Sequence, residues 1–288
     1  MTPAVNESWV LSEEDRAEVA ETRTGMAAEA AAEATAREDV ARVEDLDLGG
    51  VPGRLFEPAG ATGLLLFLHG GGFVFGDLET HDAHCRRLAA RTGWAVLAVH
   101  YRRSPEHAYP AAVEDADAVA GWLLAHAADL GPAGARLAVS GDSAGGNLAL
   151  GLALRHPGLF AAQVLVYPFL DPSCASYDRT IPEPDFGVDV LAWFWGLYLQ
   201  GREPGTDPDL DPLVAASFEG LPPTLVQLAE LDVLTPPGRL LAERLAADGV
   251  PVEVETYARV GHGFWRHPDN DRMEPALEGV RDFLAALR

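Results

Sequence analysis

Short, uninterrupted apolar runs closed by glycine or proline constrain this chain more than any other feature. Unbroken runs fall at residues 64–68 and 94–99, and further strand candidates lie at 136–139, 161–166, 223–228 and 252–257. Helical stretches lie between them, at 111–128, 147–155 and 238–247. A run that is apolar at every position suits a strand buried on both faces. Its alternation with helices predicts a mostly parallel sheet wrapped by helices. The 288 residues suffice for one large core. Two segments break the rhythm. Residues 11–46, rich in Ala, Glu and Arg, read as one or two helices. Residues 168–212, rich in Pro and Asp, enclose an aromatic helix at 190–199. There is no internal repeat.

The run at 136–139 leads into Gly141-Asp142-Ser143-Ala144-Gly145, with a helix after it. A strand turning abruptly into a helix forces the middle residue into a strained conformation, and glycines two places either side leave room for the turn. Such a turn exposes the Ser143 hydroxyl at a helix N-terminus, where backbone N–H groups favour developing negative charge. A second motif, His69-Gly70-Gly71-Gly72-Phe73, follows the run at 64–68. Consecutive glycines have no packing role in this reading; they let backbone N–H groups approach an anion. In acyl transfer each such donor is worth about 3 kcal/mol.

A serine nucleophile needs a base, and nine histidines compete. His262, in Gly261-His262-Gly263-Phe264, sits in a turn just after the strand at 252–257. His69 belongs to the glycine motif and orders that loop. His81, His84 and Cys85 resemble a metal cluster, but a helical stretch cannot turn all three to one ion, so no metal is expected. The base in turn needs an acid to fix its tautomer. Asp232 follows the strand at 223–228, one strand–helix unit before His262; Glu230 lies nearer the strand body. The order Ser143, Asp232, His262 is that of the α/β-hydrolases.

Composition narrows the chemistry further. All 21 basic residues are Arg and none is Lys, which excludes Schiff-base chemistry, a Ser–Lys dyad and a P-loop lysine. The net charge of −23 disfavours nucleic acid as a partner. Cys85 and Cys174 read as reduced thiols. The first residues lack the basic and apolar regions of a signal peptide, and no apolar stretch approaches the ~20 residues of a membrane span. A cytoplasmic protein is expected.

From about residue 50 to 288 the chain resembles the bacterial hormone-sensitive-lipase family of α/β-hydrolase esterases. The resemblance rests on the two glycine motifs and on Tyr101-Arg102-Arg103-Ser104-Pro105-Glu106-His107 with Tyr109-Pro110-Ala111-Ala112. Tyr167-Pro168, Asp211-Pro212-Leu213 and Gly220-Leu221-Pro222-Pro223 add to it. It implies a triad of Ser143, Asp232 and His262. It also implies an oxyanion hole made by the N–H groups of Gly71, Gly72 and Ala144. A helical cap would come from about residues 1–46 and 172–205, over a pocket bordered by Phe73, Trp193 and Trp195. Arg103 and Ser104 depart from the usual leucine and alanine, and His100 from a common acidic residue. Thr235-Pro236-Pro237 replaces an acidic pair.

The expected activity is hydrolysis of short- to medium-chain carboxylic esters through an acyl-enzyme. No cofactor is expected, and the protein would be a monomer or homodimer acting on small molecules. A tailoring hydrolase for a specialised metabolite (deacetylase, amidase or lactone hydrolase) is the alternative. A hydrolase-fold ligand binder without turnover is the third reading.

Overall fold

The computed structural model describes residues 10–33, 37–130, 134–181 and 186–287. Its centre is an eight-stranded sheet: β1 (Arg42–Asp47), β2 (Pro52–Glu57), β3 (Gly63–Leu68), β4 (Ala95–Val99), β5 (Arg136–Asp142), β6 (Ala162–Val166), β7 (Thr224–Ala229) and β8 (Val252–Tyr257). The spatial order is β1-β2-β4-β3-β5-β6-β7-β8. The β1–β2 and β2–β4 pairs are antiparallel and the others parallel. β3, β4, β6 and β7 are buried at every position, as the unbroken apolar sequences of β3 and β4 and the mostly apolar ones of β6 and β7 predict.

Alternate residues of β3 serve opposite faces. Leu64, Leu66 and Leu68 join a core with α3 (Ala111–His126), α4 (Ala144–Arg155), α5 (Val188–Leu199) and α6 (Thr235–Ala247). Leu65 and Phe67 join a second core with α2 (Asp82–Thr92) and α7 (Met273–Ala286). The helix α1 (Glu13–Glu33) lies outside these layers and buries only Val19 and Ala30 of its own residues.

The structure corrects the helical reading of residues 11–46. α1 ends at Glu33, and Arg42–Asp47 is a strand paired with Pro52–Glu57. Gly49 and Gly50 supply the positive φ angles of the intervening turn, φ 79 and 95°. Those two glycines after Asp47 were the available hairpin signal. The pairing completes a sheet edge, which outweighs the weak helix preference of Arg-Val-Glu-Asp-Leu-Asp. β2 and α7 were likewise not among the expected elements. Of the cap segments, residues 1–9, 34–36 and 182–185 lie outside the described residues.

The register that matters most is Leu68 opposite Gly141, where β3 and β5 end side by side. α4 leaves the end of β5 and runs so close to β3 that a Cβ on Gly145 would stand 1.8 Å from Leu68 O. Gly121, on the exposed side of α3, meets nothing within 4 Å. Gly145→Ala is therefore expected to cost at least about 2 kcal/mol by overpacking against backbone. Gly121→Ala should stabilise by about 0.5–1 kcal/mol through helix propensity alone. Denaturant titration of both variants checks this, and similar effects of the two would contradict the packing.

Candidate active site

Ser143 occupies the single residue between β5 and α4, with φ 52° and ψ −116°. No bulky residue rests comfortably there. Its N–H donates to Val166 O at 2.9 Å, tying the turn to β6. Ala144 follows at the first helical position, where backbone N–H groups have no partner within the helix.

His262 and Asp232 come from loops after β8 and β7. Those loops are joined by the hydrogen bond from Leu231 N to Val260 O at 2.9 Å. His262 Nε2 lies 3.0 Å from Ser143 Oγ, and Nδ1 lies 2.8 Å from Asp232 Oδ2. Asp232 is fully buried, and its Oδ1 accepts from Leu234 N at 2.9 Å. That bond sits immediately before α6, whose first turn accommodates Pro236 and Pro237 because no N–H is needed there. The rival Glu230 is exposed and accepts from Arg259 N at 2.8 Å, away from His262.

The loop after β3 stands beside this group. Gly70 N donates to Asp142 Oδ1 at 2.8 Å, so the glycine motif is fastened to the residue preceding the serine. Asp142 is buried, and desolvation holds its carboxyl above the ordinary value, against the pull of Arg266 and the Gly70 N–H. The expectation that these glycines have no packing role is corrected. A Cβ on Gly71 would lie 2.5 Å from Phe75 O, and one on Gly72 would lie 2.4 Å from the Phe194 ring. Both have positive φ, 111 and 61°.

Of the three aromatic residues expected at the pocket, Phe73 is wholly buried and stacks on Tyr198 at 3.9 Å between centroids. Trp195 is buried against Phe169, with its indole N–H donating to Tyr177 Oη at 3.0 Å. Trp193 turns to the N-terminal helix and donates to Asp15 Oδ1 at 2.7 Å. The rings that reach the site are others. Phe194 packs on Gly72, and Phe186 lies 4.8 Å from the His262 ring. Only the helical offset from 190 could have singled out Phe194, and no sequence signal marks Phe186. Asp142 was legible in principle, as the variable position of the Ser143 motif.

Residues 65–266 match the family model described as the alpha/beta hydrolase fold. The chain is 38% identical over 244 residues to the carboxylic ester hydrolase LipN of Mycobacterium tuberculosis, covering 77% of this chain and 64% of LipN. To the ethyl acetate hydrolase of Pseudomonas putida it is 37% identical over 242 residues, covering 81% of this chain and 74% of the relative. The solved structure of the Pyrobaculum calidifontis esterase superposes with a TM-score of 0.85 at 33% identity, covering 94% of each chain.

The other motif histidines form a buried stack behind the site. His69 stacks on Tyr101 at 4.2 Å, His81 is tilted against His69 at 5.1 Å, and His84 lies against Trp265 at 4.4 Å. His81 and His84 share the Phe67 ring but otherwise contact different groups, and Cys85 is buried in the second core. Among the described residues no group of three His, Cys, Asp or Glu is arranged to hold a metal ion. Burial lowers the pKa of all three histidines, that of His69 to about 3. Each then takes up a proton on unfolding at mildly acid pH. Stability is fully present above the unfolded value near 6.5 and lost as pH falls towards the folded value, by up to about 1.4 kcal/mol per pH unit per histidine. Melting temperatures from pH 7 to 5 should fall steeply in the native protein and less steeply in His84→Leu. Parallel curves would contradict this.

Proposed function

The chain belongs to the α/β-hydrolase family and is a carboxylic ester hydrolase; we propose that it acts through Ser143, His262 and Asp232 by way of an acyl-enzyme. The observation that carries this mechanism is the continuous hydrogen-bonded line from Ser143 Oγ through His262 to the buried Asp232. Ser143 Oγ attacks the ester carbonyl while His262 Nε2 takes its proton. Asp232 accepts from Nδ1–H, fixing the tautomer and stabilising the imidazolium. The oxygen of the tetrahedral intermediate rests on the N–H groups of Gly71, Gly72 and Ala144. His262 then protonates the departing alcohol, and water releases the acid by the reverse sequence. No step calls for a metal or cofactor.

The substrate is a small ester with a short to medium acyl chain. Two observations support that size: the ring of Phe194 on Gly72 and that of Phe186 on His262 narrow the approach to Ser143. The activity named for the Pseudomonas relative, on ethyl acetate, agrees with it. α1 and the segment around α5 form the cap, joined through Trp193 and Asp15. The free thiols Cys85 and Cys174 fit the cytoplasm, and burial pushes that of Cys174 up to about 11. The β8 edge is open to a second copy.

Release of p-nitrophenol from acetyl through dodecanoyl esters tests the proposal. Turnover should be fastest on the shorter chains, and Ser143→Ala should lower kcat by more than about 10⁴-fold. Asp232→Asn should lower it by about 10⁴-fold, because the wrong tautomer of His262 is then favoured. A serine variant that retains turnover would remove the nucleophile from Ser143. In the native enzyme kcat/KM should decline about tenfold per pH unit on the acid limb, since only neutral His262 accepts the serine proton. A rate unchanged across that limb would remove His262 from its role.

A further inference from the structure

We infer that Arg23, on the N-terminal helix, is a positioning residue that orients and polarises the Gly72 N–H of the oxyanion hole through a relay of two peptide groups. The inference rests on the assignment of Gly72 as an oxyanion donor made above. Arg23 lies 51 residues before Val74 in sequence, yet its Nε and Nη2 donate to Val74 O at 3.1 and 2.9 Å. In a trans peptide the C=O and the following N–H point in opposite directions. The peptide whose carbonyl is held by Arg23 therefore presents the Phe75 N–H on its other side, and this donates to Gly71 O at 2.7 Å. The next peptide, whose carbonyl is thus held, presents the Gly72 N–H on its far side. Guanidinium, first peptide and second peptide form one line of aligned dipoles with a positive charge at its outer end. Such chains strengthen the terminal donor, and a charged donor strengthens it most.

The remaining carbonyls of the loop leave little freedom for another arrangement. Tyr101 Oη donates to His69 O at 2.7 Å, and His69 Nδ1 lies 2.9 Å from Gly70 O. Ser104 N donates to Phe73 O at 2.9 Å, and Arg103 Nη1 donates to Gly76 O. Arg103, a departure from the family pattern, thus acts on the outer side of the same loop through its side chain, whereas residue 104 does so through its backbone N–H alone.

Arg23 is itself held as a fork. Nη2 also donates to Ser104 O at 2.7 Å, and Nη1 reaches Glu106 Oε1 at the same distance. The hydrogen bond from Arg23 holds the Glu106 carboxyl below its ordinary value, so the counter-charge persists into mild acid. Apolar contact attaches α1 through Val19, Ala30 and the half-buried Met26, and the guanidinium adds a polar tie to the loop after β3. The helix is then part of the machinery, because its arginine ends on the loop that binds the anion.

A relay of this kind acts on charge that develops in the transition state, so it should appear in kcat and not in KM. Kinetics of p-nitrophenyl acetate with Arg23→Gln, Arg23→Lys and Arg23→Leu, alongside the exposed Arg16→Gln of the same helix, test it. Arg23→Gln should lower kcat by about 10- to 100-fold with KM within about threefold. Affinity for an aliphatic trifluoromethyl ketone, which adds to the serine as an anionic hemiketal, should fall by the same factor as kcat/KM. Arg16→Gln should match the native enzyme. Arg23→Gln with native kcat and native melting temperature would overturn the inference, as would a rise in KM alone.

Should Arg23→Leu fail to fold, the other two variants decide, since both keep a donor for Val74 O. Lys, which keeps the charge, should exceed Gln in kcat; Gln equal to or above Lys would overturn the relay. Ser143→Ala, measured in the same assay, must be inactive. If it turns over, the assignment of the site fails, whatever the Arg23 variants do.

Discussion

The hydrogen bond from Gly70 N to Asp142 joins the two halves of the site before any substrate arrives. It is possible only because β3 and β5 are parallel neighbours whose ends coincide, Leu68 opposite Gly141. One strand end then carries Ser143 and the other the glycine loop proposed to bind the oxyanion. Helix α4 closes against Leu68 O, a contact only glycine at 145 permits. In the proposed mechanism, donors and nucleophile are built on one rigid pair of strands, and little reorganisation is left for the reaction to supply.

Charge is arranged around that junction in graded burial. Asp232 is wholly buried and fully engaged, by His262 on one oxygen and Leu234 N on the other. Asp142 is also buried, and Arg266 offsets part of its desolvation. Each buried carboxylate therefore holds a different neighbour: Asp232 the His262 ring, and Asp142 the Gly70 N–H of the loop after β3. The low dielectric that makes an unpaired charge costly makes these contacts strong.

Much of the fold was legible because parallel strands buried on both faces are mostly apolar: β3 and β4 are so throughout, and β6 and β7 are interrupted only by the buried Gln163, Thr224 and Gln227. The edge strand β1 and its neighbour β2 escaped for the converse reason. β1, half in solvent, carries Glu, Asp and Arg, and its place is fixed by pairing with a neighbour. Ser143, Asp232 and His262 could be picked out because each lies just past a recognisable strand and belongs to a residue type the chemistry demands. Phe186 and Phe194 could not. Which ring of an aromatic helix faces a glycine loop depends on how that helix is set down, and Phe186 precedes the helix altogether. Arg23 was invisible for another reason: apart from Glu106, its partners are the backbone carbonyls of Val74 and Ser104, which any sequence supplies.

The most direct test of the central claim is to treat the folded protein with a fluorophosphonate and locate the adduct by intact-mass and peptide analysis. A serine made nucleophilic by His262 and facing an anion hole should take one label per chain, on Ser143, and lose its esterase activity in step with labelling. Labelling at another serine, or an active enzyme fully labelled at Ser143, would contradict it.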